Sequence, residues 1–269
     1  MKKLMFGMAA ALALCGMADI ESSNTVGYQT KDAVEKGKFY ILGGQFDAVA
    51  GGRAINEIFA PITGVDYDED NVFKNVASQI QVPSGAGYKT YFFLNDGWYD
   101  DGTDEGAVKA GWCDGAGNIT DDELVEGVAF WFKNKVDANG SALTQMGQVP
   151  ADATIDVDCP DAFALRANPY PTAFALNGDK VITSGAAEVF YDDDNAFKKT
   201  APQIQLPSGE GYQTFFYLAD GWYDDGTAEG ATKAGWCDGA GNITDVVIPA
   251  SQGFWTKGVG GAFVLKFSL

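Results

Sequence analysis

Two apolar-rich segments, residues 88–94 and 212–218, agree with each other at every second position. The two segments agree at Tyr88, Thr90, Phe92 and Leu94 (Tyr212, Thr214, Phe216, Leu218). They differ at the positions between, where Lys89 becomes Gln213, Tyr91 becomes Phe215 and Phe93 becomes Tyr217. One fixed face and one freer face predict a strand. Both faces carry aromatic rings, so the strand is expected to be central or covered on both sides. Pro83-Ser84-Gly85 and Pro207-Ser208-Gly209 predict the turn entering it. Gly115-Ala116-Gly117-Asn118 predicts another, with glycines free to take positive φ. Long helical periodicity is absent, and Arg53–Phe59 predicts a turn or two of helix at most.

These paired segments belong to a duplication. Residues 67–121 return at 191–245, offset by 124 without a gap and with 42 of 55 positions identical. The offset extends outward, aligning Phe39 with Phe163, Ile41 with Leu165, Ile58 with Ile182, and Phe130-Trp131 with Phe254-Trp255. Ala142–Val149 matches Ala262–Leu269 if four residues are dropped around Val136–Gly140. The expected fold class is all-β: two tandem, internally duplicated β-sandwich or partly open barrel domains, over residues 19–150 and 151–269. The boundary falls at the polar Pro150-Ala151-Asp152.

The second repeat opens with Phe163-Ala164-Leu165-Arg166-Ala167-Asn168-Pro169-Tyr170-Pro171 and closes with Ile248-Pro249-Ala250-Ser251-Gln252-Gly253-Phe254-Trp255. These ends resemble a class of secreted bacterial β-sandwich surface modules with an aromatic-x-Leu-x-x-Asn-Pro-aromatic opening strand and a Pro-x-x-x-Gly-Phe-aromatic closing strand. The resemblance implies the sandwich fold and a non-catalytic role on surface-associated or adhesive proteins. The first repeat departs from it, with Gly44-Gln45-Phe46 and Gly127-Val128-Ala129 at the corresponding positions. The Ser23–Tyr28 start is also similar to short secreted proteins of this kind.

Residues 1–18 predict a signal peptide: Lys2 and Lys3, an apolar run from Leu4 to Ala13, then Gly16-Met17-Ala18 at the cleavage site. Leu12-Ala13-Leu14-Cys15 is a loose lipobox and gives the alternative of lipoprotein processing. The expected location is secreted or cell-surface, with the periplasm as a variant. No membrane span is expected in the mature chain. The alternating Ala262–Leu269 strand ends in leucine rather than an aromatic, unlike the last strand of an outer-membrane barrel. The formal charge of -19, from 37 acidic and 18 basic residues, opposes nucleic-acid binding. No histidine occurs, which excludes Ser-His-Asp and Cys-His catalysis and histidine-ligated metals.

Clustered carboxylates give the candidate metal site. Asp96, Asp100, Asp101, Asp104, Glu105, Asp114, Asn118 and Asp121 share one loop system, and Asp220, Asp224, Asp225, Glu229, Asp238, Asn242 and Asp245 the other. Short-spaced oxygen ligands suit calcium, although the spacing is not that of an EF-hand. The alternative is a solvated loop whose aspartates cap their own turns. Trp98, Tyr99, Trp112, Trp222, Tyr223 and Trp236 lie in the same segments, either as platforms for sugars or as rings pinning the loops to the sheet. Three cysteines follow the signal peptide, and a Cys159–Cys237 disulfide inside the second repeat is expected, with a Cys113–Cys237 link as the alternative. The expectation is an exported, non-catalytic structural or adhesive protein of the cell surface or matrix. Its partners would be surface components, glycans or further copies of itself. A carbohydrate-binding module and a glycoside hydrolase using paired carboxylates are the rivals.

Overall fold

The computed structural model describes residues 26–136 and 141–269. The signal peptide, the lipobox around Cys15 and most of the loop deletion near Val136–Gly140 lie outside the described residues. The first repeat contains β1 (Val26–Val34), β2 (Phe39–Gly43), α1 (Ile55–Ile58), α2 (Phe73–Val76), β3 (Gln79–Ser84), β4 (Gly87–Tyr99), β5 (Ala107–Cys113), β6 (Ala129–Lys133) and β7 (Ser141–Gln148). The second contains β8 (Thr154–Cys159), β9 (Phe163–Ala167), β10 (Phe174–Ala175), β11 (Val181–Ser184), α3 (Phe197–Thr200), β12 (Gln203–Ser208), β13 (Gly211–Tyr223), β14 (Ala231–Cys237), β15 (Val247–Ile248), β16 (Gly253–Lys257) and β17 (Phe263–Ser268).

The chain is all-β, built from antiparallel sheets, and none of them closes into a barrel. Each repeat supplies its own five-stranded sheet, ordered β2-β6-β3-β4-β5 in the first and β9-β16-β12-β13-β14 in the second. Their registers correspond residue for residue at the offset of 124. Ile80 pairs with Tyr91 as Ile204 pairs with Phe215, and both long strands break register between a leucine and a glycine, Leu94/Gly97 and Leu218/Gly221.

The inner face of each large sheet packs against a smaller sheet. In the second repeat β8 buries every other residue, placing Ile155, Val157 and Cys159 against Phe215, Trp236 and Phe254, with Phe263, Leu265 and Phe267 from β17. This is the period-two burial of a half-covered strand. In the first repeat the β1–β7 pair supplies Val34 and Leu143 to the equivalent core of Ile80, Tyr91, Phe93, Trp112, Phe130 and Phe132. The outer face of β4 is covered as well. Phe73 and Ala77 pack on Phe92, Leu94 and Cys113, and Phe197 and Ala201 repeat this on Phe216, Leu218 and Cys237. The α2 and α3 turns that carry these phenylalanines are capped by Asp68 and Asp192, whose carboxylates accept the N–H groups of Val72 and Phe73, and of Ala196 and Phe197.

One alignment requires correction. Ile58 is fully buried while Ile182 is 53 % exposed, so they are not equivalent. Asn56 and Asn177 do the same work at an offset of 121. Each Nδ2 donates to two carbonyls, of Trp112 and Thr120 or of Trp236 and Thr244, and each Oδ1 accepts the tryptophan N–H. The first repeat therefore has three more residues before this asparagine, and the second three more after it.

The disulfide expectation also fails in the structure, where Cys113, Cys159 and Cys237 are free and buried. Cys159 lies in the core between the sheets, whereas Cys237 lies on the opposite face of the five-stranded sheet under Phe197. The sheet itself separates the two sulfurs. Burial pushes all three thiols up to about 12, away from the reactive thiolate. The native chain beginning at Asp19 should therefore leave all three unlabelled by iodoacetamide at pH 8, and the same chain denatured should take three labels without prior reduction. Two of the three blocked until a reductant is added would restore the disulfide.

Candidate functional site

The acidic segments form self-closed turns. Asp100 Oδ1 accepts the N–H of Gly102 at 2.9 Å, and Asp101 Oδ1 accepts both the N–H and the hydroxyl of Thr103, at 3.0 and 2.6 Å. Asp114 accepts from the N–H groups of Ala116 and Asn118 and from the Asn118 amide, while Asp96 accepts from Tyr67 N–H. Asp220, Asp224, Asp225, Asp238 and Asn242 repeat these bonds in the second repeat. The Thr103 and Thr227 hydroxyls hold the Asp101 and Asp225 carboxyls below their ordinary range. Asp104, Glu105, Asp121, Glu229 and Asp245 point into solvent as exposed residues. Among the described residues, no group of three or more His, Cys, Asp or Glu side chains is gathered together. The geometry is that of aspartates capping their own turns.

The tryptophans divide into two kinds. Trp112 and Trp236 lie in strands β5 and β14 rather than in loops, and both are buried in the cores, so neither can meet a ligand. Trp98 and Trp222 are 45 % and 44 % exposed. Each ring lies over a glycine, Gly106 or Gly230, and donates its Nε1–H to the preceding glutamate carbonyl at 3.4 Å. Tyr99 and Tyr223 lie under the ammonium groups of Lys109 and Lys233, at 4.5 and 4.8 Å.

A second aromatic set, at positions that the offset of 124 aligns between the repeats, lies where the repeats meet. Along β6 the residues Phe130 and Phe132 face the core, which turns Trp131 to the outer face, and Trp255 is turned outward in the same way on β16. The two indoles approach each other at 6.3 Å between ring centroids. Phe39 meets Trp131 edge-on at 5.8 Å and Phe163 meets Trp255 edge-on at 6.3 Å, so one row runs Phe39–Trp131–Trp255–Phe163 across the joint. Tyr88, whose hydroxyl accepts the Trp131 Nε1–H at 3.5 Å, flanks the row.

The joint beneath this row is reciprocal. Gly43 N–H donates to Ser251 O at 3.0 Å, and Ala167 N–H donates to Gly127 O at 2.9 Å. Moving either bond by 124 residues gives the other. Ile41, Ala129, Leu165 and Ala167 form its small apolar centre; Ile41 and Leu165 are equivalent positions, and Ala129 and Ala167 are the counterparts of Gly253 and Gly43. A patch that meets its own copy in this way has the symmetry of a twofold interface, here within one chain.

The places where the first repeat departs from the opening and closing motifs are used by the joint. Gln45, standing where the second repeat has Pro169, donates to Asn168 O at 3.2 Å and Tyr170 O at 2.5 Å. Asn168 in turn closes its own loop, accepting Tyr170 N–H and donating to Thr172 O, which seats the fully buried Tyr170. Gln252 reaches back to Ile41 O at 3.2 Å.

No protein-family model, curated protein or solved structure matches the chain.

Proposed function

We propose that this chain is an exported, non-catalytic structural or adhesive protein of the cell surface or extracellular matrix, whose two β-sandwich repeats act as one body. The observation that carries the reading is the reciprocal joint: bonded strand ends and a small apolar centre hold the repeats together and align a partly exposed aromatic row across them. A rigid two-repeat body with a continuous contact row suits binding or assembly, since exposed aromatic clusters mark interaction surfaces. The signal-peptide pattern of residues 1–18 and the motif ends of the second repeat support export and the surface class. The acidic surface favours solubility outside the cell.

The test is fractionation of the producing cell combined with N-terminal mass mapping and immunogold labelling. The expected product begins at Asp19 and sits on the cell surface or in the matrix. A chain that retains Met1 and stays in the cytoplasm contradicts the reading.

A further inference from the structure

The joint leaves a groove of about 470 Å³ between the repeats, within the range that holds small ligands. One wall comes from the first repeat, with Phe39 and Trp131. The second repeat contributes the tip of the β12–β13 hairpin, with Glu210 and Tyr212, and also Gln252. Phe39 and Tyr212 are close to half exposed, so two aromatic faces border the opening from different repeats.

The groove's charges cancel. Lys31 and Lys38 face Glu35 and Glu210; the Lys38 ammonium is bonded to Glu35 at 2.7 Å and feels Glu210 as well. In a chain of formal charge -19 this is a locally neutral strip. It offers no net attraction to a cation, and the protein's wider field opposes an anion. Its recognition chemistry is aromatic faces together with amide, carboxylate and ammonium groups that can bond hydroxyls. The duplication sharpens the point. At the offset of 124, Lys38 corresponds to Ala162 and Glu210 to Ala86. The aromatic positions are shared by both repeats, but these two polar groups stand on one side of the joint alone.

We propose that this groove binds a neutral oligosaccharide, with the C–H faces of the sugar stacked on Phe39, Trp131 and Tyr212 and its hydroxyls bonded by Lys38, Glu210 and Gln252. The inference rests on the adhesive reading above and names the ligand class of its contact row. An uncharged sugar chain presents alternating apolar faces and hydroxyls, which match these walls without requiring a charge partner.

The full-length mature chain should be titrated, by calorimetry and tryptophan fluorescence, with maltohexaose, cellohexaose, mannohexaose and xylohexaose, with a polygalacturonate oligomer, and with a proline-rich decapeptide. At least one neutral hexasaccharide should bind and perturb tryptophan emission. Tyr212→Ala and Glu210→Gln lie at an exposed hairpin tip, and each should weaken binding about tenfold or more, as expected for loss of a stacked ring or a polar contact. Trp98→Ala, in the distant acidic segment, should leave it unchanged. Binding of the peptide or the uronate in place of the neutral sugars overturns the proposal, as does binding that Trp98→Ala abolishes and the hairpin variants do not, or no binding by any probe. Cell-surface location is read separately by the fractionation above, so failure of the sugar proposal and failure of the adhesive reading give different results.

Discussion

Gly43→Ala should destabilise the protein by about 1–3 kcal/mol, the usual cost of overpacking, and Ala167→Gly introduced with it should restore most of the loss. Residues 43 and 167 are the same position in the two repeats, and across the joint they face each other. A Cβ on Gly43 would fall inside the contact distance of the Ala167 Cβ. There is room on the pseudo-twofold axis for one methyl group, and the chain supplies one, on the second repeat. The companion pair is arranged the other way round: Ala129 carries the methyl and Gly253 does not. A Cβ on Gly253 would come 2.7 Å from the Ala129 Cβ and also collide with Ile41. Gly253→Ala should therefore cost as much, and Ala129→Gly should rescue it only in part, because Ile41 remains. The measurement is a double-mutant cycle in urea for each pair. Additive losses at 43 and 167 would mean that the two positions do not meet.

The second large effect is expected at Asn177. Its side chain satisfies two carbonyls and one N–H of the segments that carry Trp236 and Thr244. Alanine leaves these backbone groups without partners, so we expect a loss of roughly 2–4 kcal/mol. Asn177→Asp should be no better, because a carboxylate keeps the acceptor for Trp236 N–H but turns repulsion on both carbonyls. Alkylation of the buried thiols during urea unfolding reports each repeat separately, Cys237 for the second and Cys113 for the first. Asn177→Ala should advance labelling of Cys237 well before that of Cys113, and Asn56→Ala should reverse the order. An aspartate variant as stable as wild type would show that the two donated bonds contribute nothing.

Much of the fold was legible because the two copies act as a control on each other. Agreement at alternate positions over Tyr88–Leu94 identified a strand, and aromatics on both its faces identified the double covering that Phe73 and Phe130 supply. The differing positions carried information too. Lys89, Tyr91 and Asp122 become Gln213, Phe215 and Val246 together because the Asp122 carboxylate accepts from both Lys89 and the Tyr91 hydroxyl. Lys89 foremost holds that carboxyl below its ordinary range, and in the second repeat Phe215 and Val246 pack in the core instead, leaving Gln213 exposed. Asn56 and Asn177 escaped notice because three residues shift sides around them, so a fixed offset never aligns them. Trp112 looked like a loop residue beside glycines and aspartates, yet β5 runs through it and strand alternation turns it inward. The joint was least legible. It is made at positions where the repeats must differ, Gly43 against Ala167, Ala129 against Gly253 and Gln45 against Pro169, and a comparison that seeks likeness passes over them.

The claim on which the rest depends is that the two repeats are joined reciprocally into one body. Native-state hydrogen exchange at the amides of Gly43 and Ala167 tests it most directly, since each donates the bond that crosses the joint, to Ser251 O and Gly127 O. Both amides should be strongly protected, to a similar degree, and Gly43→Ala should lower the protection of the two together. Rapid exchange at both sites in the folded protein, or protection at one alone, would contradict the account.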